Sequence, residues 1–180
     1  MLRSLRSQGF RICDGAILPP RKLSKDRIRR LHRTAVKHRL DRAKGGLCRR
    51  EKALLHHFAS GNEVEPAMIS PRLVEVLPYS EEELLFRYAS LQWSIPVSSG
   101  YGRRLRFIVV DDHNEKLMGL IGLGDPVYSL RARDEWVGWS IAHRKKRLKH
   151  VMDAFVLGAV PPYSFLLCGK LVAMLATSET

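Results

Sequence analysis

Apolar positions recur at helical spacing between residues 24 and 44, where Ile28, Leu31, Ala35 and Leu40 trace one stripe and predict a helix. Ser24 is suited to cap it, and Asp26 places a negative charge in the first turn, where the helix dipole favours one. Gly45-Gly46 is expected to stop it, as glycine does just past a helix end. A shorter helix is predicted over residues 50–58. Residues 1–23 show no period and read as irregular, and the turn-rich stretch from Ser60 to Pro71 reads as a linker. Ser80-Glu81-Glu82-Glu83 is a capping-box pattern that opens a helix through Tyr88, with Leu84, Leu85 and Tyr88 on one side.

The pattern then changes to continuous apolar runs. Leu105–Val110 and Leu117–Leu123 flank the polar turn Asp111-Asp112-His113-Asn114 and predict an antiparallel hairpin buried on both faces. Gly124-Asp125-Pro126 ends the second run, and residues 134–139 read as a further short strand. Phe155, Val156 and Val160 suit a buried strand running into Pro161-Pro162, where neither proline can continue a sheet ladder. Ser164 is placed to cap an apolar helix over residues 165–177. Strand, corner and helix N-terminus form either an anion cradle or a plain buried crossover. That last helix is apolar nearly all round, through Phe165, Leu166, Leu167, Leu171, Val172, Met174 and Leu175, so it requires cover on several sides. The expectation is an α/β (α+β) fold with an incomplete mixed sheet, cut short at its C-terminus, over residues 61–180. A basic helical arm over residues 1–60 precedes it.

Charge sharpens this division. Residues 1–60 hold 17 of the 31 Lys and Arg but 4 of the 18 Asp and Glu, which accounts for the whole net charge of +13. The remainder sums to zero, so the basicity belongs to the arm and argues for a polyanionic partner, DNA or RNA. Candidate contacts are Arg29, Arg30, Arg33 and Lys37 on the arm, Arg103 and Arg104 beside Tyr101, and Arg144, Lys145 and Lys146 within the basic patch 143–150. Each group has a bland alternative, a solvated face for the helix and carboxylate pairing for the arginines. The three cysteines are scattered without zinc or disulfide spacing, so no metal is expected. The longest apolar region, 154–176, is broken by two prolines and Lys170 and falls short of a membrane span, which implies a cytoplasmic chain. Asp111, Asp112, Asp125, Asp134 and Asp153 border predicted strands, where turn and cap roles outweigh a nuclease-like cluster. No catalytic residue can be assigned, and whether the chain is an enzyme stays open.

The order of hairpin, strands, corner and helix resembles that of the acyl-CoA-binding acetyltransferases, with Pro161-Pro162-Tyr163 and Gly169 in comparable places. This resemblance implies an acetyltransferase-like fold and an alternative function as an acyl-CoA-dependent transferase with acyl-CoA as cofactor. Phe165 and Leu167, however, stand where a pyrophosphate needs close backbone approach. A more specific match lies in Trp93-Ser94-Ile95-Pro96, residues 101–107, Gly119 through Pro126, Arg133-Asp134 with Trp136-Val137-Gly138-Trp139, and Gly158 through Tyr163 with Gly169-Lys170-Leu171. Over residues ~65–180 these segments resemble the Druantia DruA-like family, once catalogued as a bacterial domain of unknown function. The resemblance implies a role in antiviral defence beside a helicase-like partner, or in a mobile element, with the molecular activity unsettled; a truncated, inactive remnant is the other alternative. The signature residues are Asp134, Trp136, Trp139, Asp153, Pro161, Pro162, Tyr163, Gly169 and Lys170.

Overall fold

A computed structural model gives the fold and describes residues 2–21, 24–93, 97 and 101–178. Ser94-Ile95-Pro96 of the family-like segments lie outside the described residues, as do Ser99 and Gly100. The chain divides into two compact units, residues 1–46 and 47–180. Residues 47–60, which the charge pattern groups with the arm, pack in the second unit, where Leu54 is buried and the His57 carbonyl accepts from the Leu117 amide.

The first unit is more regular than its sequence suggests. It contains helix α1 (Leu2–Ser7) and a hairpin of β1 (Arg11–Cys13) and β2 (Ala16–Leu18). Asp14 and Gly15 both adopt positive φ (49° and 78°) at the hairpin tip, the backbone that an Asp-Gly pair tolerates best. Helix α2 (Lys25–Leu47) runs straight through Gly45-Gly46 rather than stopping there. Of its predicted stripe, Leu31 and Leu40 are half-buried while Ile28 and Ala35 are exposed. Arg29, Arg30, Arg33 and Lys37 all face solvent, Arg29 within 3.3 Å of Asp26.

The second unit is built on one sheet with the order β3-β4-β5-β6. Its strands are β3 (Pro71–Glu75), β4 (Arg104–Asp111), β5 (Lys116–Gly124) and β6 (Asp153–Ala159). Every pairing is antiparallel, so the sheet is a meander and not the expected mixed sheet. An α+β fold remains. Strand β3 falls at the end of the predicted linker, and its initial proline suits an edge strand, where one missing ladder donor costs little. Helix α3 (Glu51–His56) lies beside α4 (Glu81–Ser90), which packs on β4. Ser80 caps α4 by accepting from the Glu83 amide at 3.2 Å, while the Glu83 carboxylate accepts from the Tyr79 amide at 2.8 Å. On the other side helix α7 (Cys168–Leu175) packs on β5 and β6. Val109, Met118, Ile121, Tyr163, Cys168 and Val172 form the buried cluster beneath it.

Two expectations fail in the connection from β5 to the C-terminus. Residues 134–139 are not a strand: α5 (Arg131–Val137) ends at Gly138, whose φ of 71° lets its amide and that of Trp139 fold back on Glu135 and Asp134. The Trp-Val-Gly-Trp run imitates a strand locally, but an Arg131–Glu135 pair one helical turn apart (2.7 Å) and a bond from the Leu130 amide to Asp134 favour helix. The basic patch becomes a second short helix, α6 (Ile141–Arg147), capped reciprocally by Ser140 and His143. At the corner, Pro161 and Pro162 are joined by a cis peptide and followed by a 3-10 turn over Tyr163–Leu166. Leu167, in the left-handed region (φ 61°), breaks the chain there, so α7 starts at Cys168 and Ser164 caps nothing.

Candidate nucleic-acid interface

Helices α5 and α6 are seven residues each, too short to persist alone in water, so tertiary ties must hold them. Those ties converge on Asp134, which is 6% exposed. Its carboxylate accepts from Arg133 (2.8 and 3.0 Å), from Arg144 across the turn and from the Leu130 amide at 3.3 Å. Arg133 also donates to the carbonyls of Val127 (2.8 Å) and Tyr128 (3.2 Å) and sits 5.8 Å from the Trp139 ring centroid. Arg144 donates to Ser129 Oγ at 3.0 Å and lies 5.5 Å from the Tyr128 ring. One carboxylate thus neutralises two largely buried arginines and clamps the helices together.

This clamp sorts the predicted contacts. Arg144 is an internal strut, whereas Lys145, Lys146, Arg147 and Lys149 are exposed and pair with no carboxylate among the described residues. Of the nearest acids on α5, Asp134 is taken up by its two arginines and Glu135 pairs at the surface with Arg131. Trp136 stands 89% exposed on α5, while Trp139 is half-buried under Arg133. Arg103 takes the common fate of such arginines, bonding Asp125 through its side chain (2.6 Å) and its amide (2.8 Å). The Arg104 guanidinium lies 4.2 Å above the Phe155 ring. Arg103 is thus tied to the residue after β5, and Arg104 stacks on β6.

Burial alone would raise the Asp134 carboxyl, but bonds from Arg133 and Arg144 outweigh it and hold the group below its ordinary range. A depressed folded-state value stabilises the fold fully above the unfolded carboxylate value of about 3.9. That contribution is lost as pH falls through the folded value. In a background with Trp93 and Trp136 changed to Phe, Trp139 emission is expected to report loosening of α5–α6 on acidification below that range. Asp134→Asn should flatten the acid profile; an unchanged profile would remove Asp134 as its source.

The corner residues serve a different purpose. Tyr163 is fully buried and binds Asp111 and Asn114, whereas Pro161 and Lys170 are exposed and Gly169 is half-buried. Asp153 opens β6 in an exposed position. Phe165 and Leu167 are 80% and 84% exposed at the entry to α7, so bulky apolar groups surround the amides a pyrophosphate would need. The predicted carboxylates do not converge: Asp112 binds Arg72 at 2.6 Å, Asp125 binds Arg103, and Asp111 and Asp134 have the partners above. Among the described residues no group of three or more His, Cys, Asp and Glu side chains is placed to hold a metal, and no helix is long and apolar enough to cross a membrane.

Comparison with known proteins agrees with the family-like segments. The family model for Druantia protein DruA matches residues 22–180, reaching upstream of residue 65 to include α2. Druantia protein DruA of Escherichia coli (strain UMEA 4076-1) is 48% identical over 175 residues, 97% of this chain. The chain spans 43% of the length of that relative. No solved structure matches.

Proposed function

The chain belongs to the Druantia DruA family, and from that premise we propose that it is a cytoplasmic component of an antiphage defence system that engages nucleic acid. The observation that carries the nucleic-acid reading is the exposed set Lys145, Lys146, Arg147 and Lys149, paired with no carboxylate among the described residues, while Asp134 is taken up by its two arginines and Glu135 pairs with Arg131. Helix α5, a three-residue turn containing Gly138, and the cationic α6 follow the helix–turn–helix order in which one helix presents side chains to a polyanion. The exposed Arg30, Arg33 and Lys37 of α2 add a second cationic surface within the family-matched region.

Electrostatic binding of this kind releases counterions, so affinity must fall with salt. The full chain is expected to bind DNA or RNA with log K declining linearly against log salt. Changing Lys145, Lys146, Arg147 and Lys149 together to alanine should flatten that slope by up to roughly 3–4, since each lost phosphate contact removes about 0.7–0.9. Filter binding from low to high salt measures both slopes. Absence of binding at low salt, or binding indifferent to salt, would overturn the reading.

A further inference from the structure

Trp136 has no counterpart elsewhere among the described aromatic residues of its size: it presents 89% of its surface while its backbone is firmly held. Tryptophan is highly buried on average, so an indole left open on an ordered element calls for a partner. The hold is specific. Asp134 ties the start of α5 through the Leu130 amide and ties its middle to α6 through Arg144. Gly138 then closes its end, with the Trp139 amide 2.7 Å from the Asp134 carbonyl. Residue 136 lies about 200° around the helix from residue 134, so a clamp through Asp134 turns the Trp136 side chain away from the clamped seam. Tyr128, 52% exposed, borders the same clamp under the Arg144 guanidinium.

An exposed ring on one helix, with unpaired cations on the helix clamped to it through Asp134 and Arg144, is a combination suited to unpaired nucleotides: bases stack on the ring, and the backbone follows the positive charge. In a duplex the base faces are already stacked on each other, and a ring such as Trp136 has nothing to receive. Resting on the nucleic-acid reading above and narrowing its substrate class, we infer that α5–α6 recognises single-stranded nucleic acid, with Trp136 stacking a base and Lys145, Lys146, Arg147 and Lys149 holding phosphates. Every base has a face, so this recognition tolerates sequence. Val127, Leu130, Val137 and Ile141 are also exposed around the clamp. A protein partner would use that apolar patch without need of the adjoining charge, which is what favours a polyanion here.

The test uses the full chain with labelled oligo(dT), oligo(U) and a blunt duplex at one fixed salt concentration, comparing wild type, Trp136→Phe and Trp136→Ala. Because the side chain is exposed, both variants are expected to keep the wild-type circular dichroism. Trp136→Ala should weaken single-strand binding roughly tenfold or more, Trp136→Phe should retain most of the affinity, and duplex binding should stay unchanged. The relative strength of oligo(dT) and oligo(U) binding tells which strand is preferred. Equal affinity of wild type and Trp136→Ala for single strands would overturn the inference, yet salt-sensitive binding surviving in both would leave the broader reading intact. Loss of self-association in Trp136→Ala, with single-strand affinity unmoved, would overturn it in favour of a protein interface.

Discussion

Replacing Tyr163 with alanine is expected to cost about 3–5 kcal/mol of folding stability, a large part of the roughly 5–15 kcal/mol a typical protein has. Its ring is fully buried within the cluster of Val109, Met118, Ile121, Cys168 and Val172. Its hydroxyl donates to Asp111 Oδ2 at 2.9 Å and accepts from Asn114 Nδ2 at 2.9 Å. The other Asp111 oxygen accepts the amides of Ser70 (2.9 Å) and His113 (3.2 Å), and Asn114 also donates to the Glu63 carbonyl at 2.8 Å. One side chain therefore joins the corner after β6 to the β4–β5 turn and the segment leading into β3. Burial pushes the phenol upward, so it remains a donor throughout the neutral range. Tyr163→Phe separates the two contributions. It keeps the ring but leaves a buried carboxyl oxygen without its donor, at about 1–3 kcal/mol. Urea denaturation of both variants reads the difference. A neutral Phe variant would show that the hydroxyl network contributes nothing, and equal losses for Phe and Ala would show that the ring's packing contributes nothing.

What was legible in the sequence follows from where the determinants lie. The β4–β5 hairpin and β6 announce themselves because their apolar runs and turn residues are local, and α4 because Ser80 and Glu83 stand three residues apart. Helix α5 differs from the strand expected over residues 134–139 because its tie to α6 is invisible to a short window. Arg144 reaches Asp134 from ten residues downstream, and the apolar run Trp136–Trp139 carries the strand-like composition. The first hairpin was missed although Asp14-Gly15 is a strong turn signal, since its strands are three residues each and mostly exposed. Gly45-Gly46 shows the reverse error: glycine permits a helix end without enforcing one, and α2 continues to Leu47. For the interface, composition found the cations but could not separate Arg144, a buried strut, from Lys145 and Lys146, which face water. Nor could it tell Trp136 from Trp139, two signature residues of which one is exposed and the other lies under Arg133. The corner differs most clearly from what its sequence suggests: Tyr163, one of the signature residues, is a buried structural tie.

Gly119→Val is expected to be strongly destabilising, and the reason lies in two contacts of different stiffness. A Cβ at this position would stand 2.7 Å from Val172 Cγ2 and 2.8 Å from the Gly158 carbonyl oxygen. The first neighbour is the end of a side chain on α7 and can give way; the second belongs to the backbone of β6, where Gly158 pairs with Leu120 and Ala159 with Gly119, and cannot move without straining the sheet. Even Gly119→Ala should therefore cost about 1–3 kcal/mol. The branched valine side chain adds bulk where α7 already rests against the strand, so its loss should exceed that of alanine. A double-mutant cycle distinguishes the two contacts. Val172→Ala empties part of a fully buried site and is destabilising by itself, but it removes the methyl that Gly119→Ala would strike. If the helix side chain sets the barrier, the pair will be markedly less destabilised than the sum of the single variants. If the two losses simply add, the β6 carbonyl sets it, and the close seating of α7 on the sheet depends on glycine in β5 whatever residue α7 presents. Thermal and urea denaturation of the four proteins decide between these outcomes. The exposed cations of α6 offer an independent control, because changes in packing under α7 should leave the salt-dependent binding proposed above unaltered in any variant that remains folded.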